Sequence, residues 1–361
     1  MATSDKITLF ISYARDDDKD FVQRLYHDLT EQGIDAWWDK EDIRNQGQTF
    51  LQVIQEQVFQ RDVLILIVGP EAAQSEYVRY EWQHALTYGK LIYPVLRKGD
   101  YTLVPPELKN YHCYDFSTES SYRTDLPKLL DDIRDSIGKS GALVNVPAYP
   151  NHYLRRADVD QVKNSLLEDV TTTVIASART MALHGMGGIG KTVVAIGVAR
   201  DMQIRRSFTD GIIWLTIGQK PDMLQKLNAL AKRLGHGGDY RNIDDATSAL
   251  QARLAEMRAL LILDDVWQPD HAEPFRNLIA ETRNRLLITT RRKSIHDELG
   301  GQLHRVDLLP IADAVTLLND WAGKQDPDAA AVVKRVNRLP LAVKIAGARL
   351  ARGMSGAEWL T

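Results

Sequence analysis

Through the first 137 residues, short apolar runs alternate with stretches whose apolar positions recur every three or four residues. Residues 7–12 are apolar and β-rich. After an acidic stretch at 16–18, Phe21, Leu25 and Leu29 fall on one helical face, and Gly33 follows as a stop. Residues 34–38 predict a second strand, and Phe50, Ile54 and Val58 mark a second helix. Val63–Val68 is apolar at every position, as a strand at the centre of a parallel sheet must be when both its faces are covered. A third helix is expected near 77–88, then a strand at Leu91–Leu96. Pro105-Pro106 breaks the next connection, residues 111–116 read as the last strand, and Leu126, Leu129, Leu130 and Ile133 mark the last helix. Such alternation predicts a doubly wound α/β sheet.

Residues 138–151, with Gly138, Ser140, Gly141, Pro147 and Pro150, read as a linker. A second α/β unit is expected over 152–305, with strands near 181–184, 211–217, 259–263 and 286–289. From Ile311 the pattern turns helical, through Ala314, Leu317 and Leu318, then Val332, Val333 and Val336, then Leu341, Val343 and Ile345. Residues 306–361 therefore form a helical subdomain, and Gly356-Ala357-Glu358-Trp359 looks like the start of a further helix.

Composition narrows the function classes. At 361 residues the chain is long enough for two or three domains with their own cores. A formal net charge of −3 and no basic tract give no electrostatic reason to expect nucleic acid. The single cysteine, Cys113, excludes an internal disulfide and a cysteine-based zinc site, and it suits a reducing cytoplasm. The N-terminus lacks the charged-then-apolar pattern of a signal peptide, and the apolar runs are far shorter than the roughly 20 residues of a membrane span. A cytoplasmic protein without a membrane partner is expected.

The strongest chemical signal is Gly185-Met186-Gly187-Gly188-Ile189-Gly190-Lys191-Thr192, a complete Gly-x-x-x-x-Gly-Lys-Thr loop. Its glycines let backbone N–H groups turn onto phosphates, Lys191 can reach the β/γ oxygens, and the Thr192 hydroxyl can hold Mg²⁺. A strand pattern precedes the loop and a helix pattern follows it, so the helix N-terminus faces the phosphates. About seventy residues later an apolar strand ends in Asp264-Asp265. The first carboxylate suits Mg²⁺ and the second can orient or deprotonate an attacking water. A further strand ends Ile288-Thr289-Thr290-Arg291, and beside the acidic strand Arg291 can sense a γ-phosphate.

These motifs, with Leu339-Pro340-Leu341-Ala342, stand in the order and spacing of the NB-ARC module, and residues 150–361 resemble that STAND-class signalling ATPase. The resemblance implies a P-loop NTPase domain followed by a helical, ARC1-like subdomain, with ATP and ADP as switch ligands, Mg²⁺, slow hydrolysis through Asp265 and self-association on exchange. It carries nucleotide contact to Gly185, Gly187, Gly188, Ile189, Gly190, Lys191, Thr192, Arg291 and Pro340, and to Leu154 and Arg156 of Tyr153-Leu154-Arg155-Arg156, with Thr192 and Asp264 on the metal. The motif around Pro340 begins with Arg338 where the family has glycine. The family's winged-helix domain would lie beyond Thr361.

At the other end, Phe10-Ile11-Ser12-Tyr13-Ala14-Arg15, then Ala36-Trp37-Trp38-Asp39 with the loop 40–48, then Ser75 and Glu81 resemble the successive motifs of TIR domains over residues 5–137. That resemblance implies a flavodoxin-like fold with a five-stranded parallel sheet. It places Glu81 at the family's catalytic position for NAD⁺ cleavage to nicotinamide and linear or cyclic ADP-ribose, with Phe10, Ser12, Arg15, Trp38 and Tyr77 around the NAD⁺ pocket. The whole resembles bacterial relatives of plant TIR-type immune receptors. The alternative is a scaffold that recruits other TIR proteins and whose only chemistry is the ATP/ADP switch.

Overall fold

A computed structural model of the chain describes residues 7–38, 57–168, 179–235 and 237–361, without the side chains of 15–18. The loop expected at 40–48 and most of the helix expected around Phe50 and Ile54 lie outside the described residues. The chain divides into two compact units, Met1–Lys139 with Asp201–Gln203, and Ser140–Arg200 with Ile204–Thr361.

The first unit holds strands β1 (Thr8–Ser12), β2 (Asp35–Trp37), β3 (Val63–Val68), β4 (Leu91–Leu96) and β5 (Tyr114–Asp115), and helices α1 (Arg15–Glu31), α2 (Pro70–Gln74), α3 (Glu76–Thr87) and α4 (Glu119–Gly138). The sheet runs β2-β1-β3-β4-β5 with every pairing parallel, the flavodoxin-like order. Side chains alternate across it. Leu9, Ile11, Ile65 and Ile67 meet Phe21, Leu25 and Leu29 of α1 and Leu129 and Ile133 of α4. Phe10, Leu64 and Leu66 face the other way, onto Ala72 of α2 and Val78, Trp82 and Ala85 of α3. The last strand is only Tyr114–Asp115 where 111–116 was expected, because it lies at the sheet edge and pairs with Val95 and Leu96 alone. The approach to it is taken up by short 3-10 turns at Tyr101–Leu103 and Pro106–Leu108, and Pro105 and Pro106, at the start of the second, have no N–H to give a ladder.

The second unit contains β6 (Leu143–Val144), β7 (Thr180–His184), β8 (Gly211–Gly218), β9 (Ala259–Val266), β10 (Arg285–Thr290) and β11 (Gln302–Arg305) in one sheet, ordered β11-β7-β10-β9-β8-β6 and parallel throughout. Strand β6 falls inside the segment read as a linker: its two apolar residues pair with Ile212 and Ile213 and extend the sheet by one edge. Helices α5 (Ala157–Glu168) and α6 (Lys191–Arg200) cover one face through Val159, Val162, Val194 and Val198. Helices α7 (Met223–Arg233), α8 (Ile243–Ala255), α9 (Glu273–Ile279) and α10 (Lys293–Leu299) cover the other through Leu230, Leu250, Phe275 and Ile295. Beyond β11, α11 (Ile311–Ala322), α12 (Ala329–Arg335), α13 (Pro340–Leu350) and α14 (Gly356–Leu360) pack around Leu309, Leu318, Val332, Val343 and Leu350. Among the described residues, no helix is long and apolar enough to cross a membrane.

In this helical part α11 and α13 pack closely at Gly347 of α13, where an added Cβ would lie 2.6 Å from Trp321 Cβ and 2.7 Å from the Leu318 carbonyl oxygen. Gly347→Ala is therefore expected to destabilise the second unit by about 1–3 kcal/mol, by overpacking that α11 and α13 can relieve only by moving apart. An unchanged midpoint in denaturant unfolding would show that the two helices do not hold this spacing in solution.

Candidate functional site

Strand β7 is apolar and buried up to His184, and the chain then turns through 185–190 before α6 begins at Lys191. The turn is possible because Gly188 (φ +77°) and Gly190 (φ +102°) take left-handed backbone angles. Lys191 is buried, and its Nζ donates to the carbonyl oxygens of Gly185 (2.8 Å) and Met186 (3.0 Å). Burial, reinforced by the charge of Arg291, pulls this ammonium below the ordinary lysine range, while Asp265 and Asp264 oppose the shift. An anion arriving in the loop would relieve that penalty.

Strand β9 delivers Asp264 and Asp265, and β10, lying between β7 and β9, delivers Thr289 and Arg291. Asp264 Oδ1 accepts from Thr192 Oγ1 (2.8 Å) and from Thr289 Oγ1 (2.6 Å), and Thr289 Oγ1 accepts in turn from the Asp265 backbone N–H (2.9 Å). Burial raises the Asp264 carboxyl above its ordinary range, and the two hydroxyl donors counter part of that rise. A threonine hydroxyl beside a carboxylate, at the mouth of a phosphate-type loop, is the hard-oxygen set that fits Mg²⁺ together with phosphate oxygens. Asp265 stands beside it in a left-handed conformation (φ 61°).

The remaining nucleotide residues gather around a cavity of about 320 Å³, in contact with Leu154, Arg156, Gly188, Gly190, Lys191, Thr192, Asp265, Arg291 and Pro340. Gly185, Gly187, Ile189 and Asp264 lie just behind this lining. Gly185 and Asp264 bond Lys191 and Thr192, and a Cβ on Gly187 would come within 3.1 Å of Arg291 Nη1. Arg291 also lies over the Trp267 ring, 5.1 Å from guanidinium carbon to centroid. Arg156 donates to the carbonyls of Ile189 (2.7 Å) and Asp307 (2.5 Å) and to Asp158 Oδ2 (2.8 Å), so it ties the loop to the strap after β11. From the helical part, the Leu341 N–H donates to the Gly188 carbonyl (3.3 Å).

Sequence reasoning passed over Thr289, although two consecutive threonines at a strand end are a usable sign of hydroxyls aimed at a neighbouring acid. It also missed His152, Trp321 and Lys344 on the cavity wall, where His152 and Lys344 both lie against the Trp321 ring (4.7 and 4.5 Å). These three are far apart in sequence and no motif joins them.

In the first unit, Ser75 caps α3 by accepting from the Val78 N–H (3.3 Å), and the helix buries Val78, Glu81, Trp82 and Ala85. Glu81 is 8% exposed, and its Oε2 accepts from Ser12 Oγ at 2.5 Å. The other residues expected around an NAD⁺ pocket do not all lie on one face of the sheet. Phe10 and Trp38 belong to cores on opposite faces of the sheet, because Phe10 is in phase with Trp37, on which it stacks at 5.1 Å, and not with Trp38. Tyr77, one turn before Glu81, is 54% exposed while Glu81 is buried. The Arg15 side chain lies outside the described residues.

Thr289→Val keeps the side-chain shape and removes the hydroxyl that serves both Asp264 and the Asp265 N–H. It is expected to lower the unfolding free energy of the second unit by about 1–3 kcal/mol. Denaturant unfolding checks this, and an unaltered midpoint would mean that water replaces the hydroxyl without loss.

Residues 9–130 match the family model described as the TIR domain, and residues 155–328 match the one described as the NB-ARC domain. Apoptotic protease-activating factor 1 of Mus musculus is 31% identical over 187 residues, covering 47% of this chain and 15% of its own length. A probable disease resistance protein of Arabidopsis thaliana is 26% identical over 214 residues, covering 55% of this chain and 30% of its own. The chain thus spans less than a third of the length of either relative. Among solved structures, the TIR domain of a Toll-related receptor from Hydra magnipapillata is 21% identical with a TM-score of 0.30, covering 35% of this chain and 97% of that one.

Proposed function

Because this chain joins a TIR domain to an NB-ARC domain, the pairing of an immune-receptor type of signalling ATPase, we propose that it is a nucleotide-controlled NAD⁺-cleaving effector. ATP or ADP is held by the backbone of 185–190 and by Lys191, with Mg²⁺ on Thr192 and Asp264. The bound nucleotide supplies a γ-phosphate whose presence or absence distinguishes two states, and Arg291 lies close enough to the loop to register it. Asp265 orients the water for slow hydrolysis. A switch of this kind works only through a difference in affinity of the nucleotide for the two states. Exchange for ATP favours self-association, which concentrates TIR domains.

In the TIR domain the substrate is NAD⁺. Its nicotinamide–ribose bond breaks with the electron pair going to the ring nitrogen, so nicotinamide leaves neutral and no general acid is required. The ribose carbon becomes oxocarbenium-like, and Glu81 stabilises that charge until water adds and releases a proton, giving ADP-ribose. The observation that carries this reading is the place of Glu81: a carboxylate in a buried slot of an otherwise apolar helix stripe. Burying a charge there costs stability that an apolar residue in the same slot would not, which favours a chemical role for it.

The test is nicotinamide release from NAD⁺ by the purified chain, at high protein concentration, with ATP and with ADP. Glu81→Ala is expected to reduce release by about a hundredfold or more while leaving nucleotide binding intact. Wild-type release from that variant would remove Glu81 from the chemistry, and no release from the unaltered chain under any nucleotide would leave an ATP-dependent scaffold. Lys191→Ala is expected to weaken ATP binding about 10- to 100-fold, read by equilibrium titration. Unchanged affinity would show that the loop does not grip phosphate.

A further inference from the structure

We propose that Ser12 is the positioning residue for Glu81, an inference that rests on the reading of Glu81 as the NAD⁺-cleaving carboxylate. Among the buried residues of α3, Val78, Glu81, Trp82 and Ala85 follow the three-, four- and seven-residue spacing of a core-facing stripe. Val78, Trp82 and Ala85 pack on the face of the sheet that carries Phe10, Leu64 and Leu66. Ser12 is two residues beyond Phe10 on β1, so alternation presents it on that same face. It is 0% exposed, and it lies opposite Leu66 of β3 in the parallel register. The stripe therefore carries Glu81 toward the one polar residue that β1 offers at its C-terminal end, where doubly wound sheets bind ligands.

The hydrogen bond between them ties a flexible side chain to a rigid element. A glutamate has three side-chain torsions, and one held only by its helix would sample several carboxylate positions. Ser12 Oγ donates to Glu81 Oε2 at 2.5 Å, and its backbone is locked into the sheet. A serine hydroxyl has one proton to give. Given to Glu81, that proton is not offered to a substrate, so Ser12 acts through the carboxylate and not by holding NAD⁺ itself. The hydroxyl is neutral, so it orients Glu81 without cancelling the charge that an oxocarbenium-like carbon needs. A lysine or arginine in the same place would hold the carboxylate and also neutralise it.

The experiment is steady-state nicotinamide release by the full chain and its Ser12→Ala, Ser12→Thr, Glu81→Ala and doubly substituted Ser12→Ala/Glu81→Ala variants, with thermal unfolding of each. Ser12→Ala is expected to lower kcat about 10- to 100-fold while KM stays within about twofold. Ser12→Thr, which keeps a hydroxyl, is expected to retain more of kcat than the alanine variant. Adding Ser12→Ala to Glu81→Ala is expected to cause no further loss, because the two residues act as one unit. If the alanine variant does not fold, Ser12→Cys, close in volume and a weak donor, is read in its place with the same expectation.

A rise in KM with kcat unchanged would overturn the proposal, since it would make Ser12 a substrate contact. A full further loss in the Glu81→Ala background would overturn it too, as would an unaltered kcat. Wild-type release by Glu81→Ala is a separate outcome: it removes the reading of Glu81, and this inference falls with it.

Discussion

Both sheets are parallel throughout and covered by helices on both faces, and the placement of chemistry in this chain follows from that. A strand at the centre of such a sheet has no solvent side, so its middle positions must be apolar whichever way they point. All six residues of Val63–Val68 are buried, as are Ala259 to Leu263 in β9 and the whole of β10. In β1, β3, β9 and β10 polar side chains stand only at the ends, where strands hand over to loops or helices. Ser12 closes β1, Asp264 and Asp265 stand at the end of β9, and Thr289 and Thr290 at the end of β10. The phosphate loop begins where β7 stops. One burial constraint, applied to two sheets, therefore collects each candidate site at the same end of its strands.

The two units also solve the same electrostatic problem in the same way. Asp264 and Glu81 are buried carboxylates, and burial without a partner is costly. Each is met by hydroxyls contributed from a strand end or loop: Thr192 and Thr289 for Asp264, Ser12 for Glu81. A hydroxyl satisfies the oxygen yet leaves its charge in place, which suits a carboxylate whose partner is a metal ion or a cationic reaction centre. Arg156 shows the contrast. Its guanidinium is engaged with Asp158 and two backbone carbonyls, so its charge holds the strap and loop together.

The helical part of the second unit reaches the phosphate loop through backbone as well as side chains. Leu341 donates its N–H to Gly188, and a Cβ at Gly188 would stand 2.9 Å from Leu341 Cβ. The turn that brings α13 to this point runs through Asn337 and Arg338, both left-handed, and Arg338 donates to the Leu309 carbonyl (3.3 Å). Arginine stands there in a conformation that glycine adopts without strain, so the contact with Leu309 offsets part of a local backbone penalty. The loop and α13 are therefore in direct backbone contact.

What could be read without coordinates was whatever is local. The phosphate loop needs its glycines and Lys191-Thr192 within eight consecutive residues, and the acidic strand end needs only its own run, so these were legible, as were the apolar strands and the doubly wound alternation. What joins residues distant in sequence was not. The sequence contains no sign that β10 lies between β7 and β9, so it could not say that Thr289 would bridge Asp264 and the Asp265 N–H. Nor could it say that His152 and Lys344 would both meet Trp321. Phe10 and Trp38 looked like neighbours of one pocket until the strand pairing put Phe10 in phase with Trp37 and turned Trp38 to the other face. Glu81 could be picked out by its motif, but its burial and its bond to Ser12, sixty-nine positions away, depend on α3 laying its stripe on β1. The sequence by itself determined which residues can turn, bind phosphate or carry charge, because those properties belong to single residues and short spacings. The tertiary structure alone decided which of them meet, because contact depends on strand order and phase.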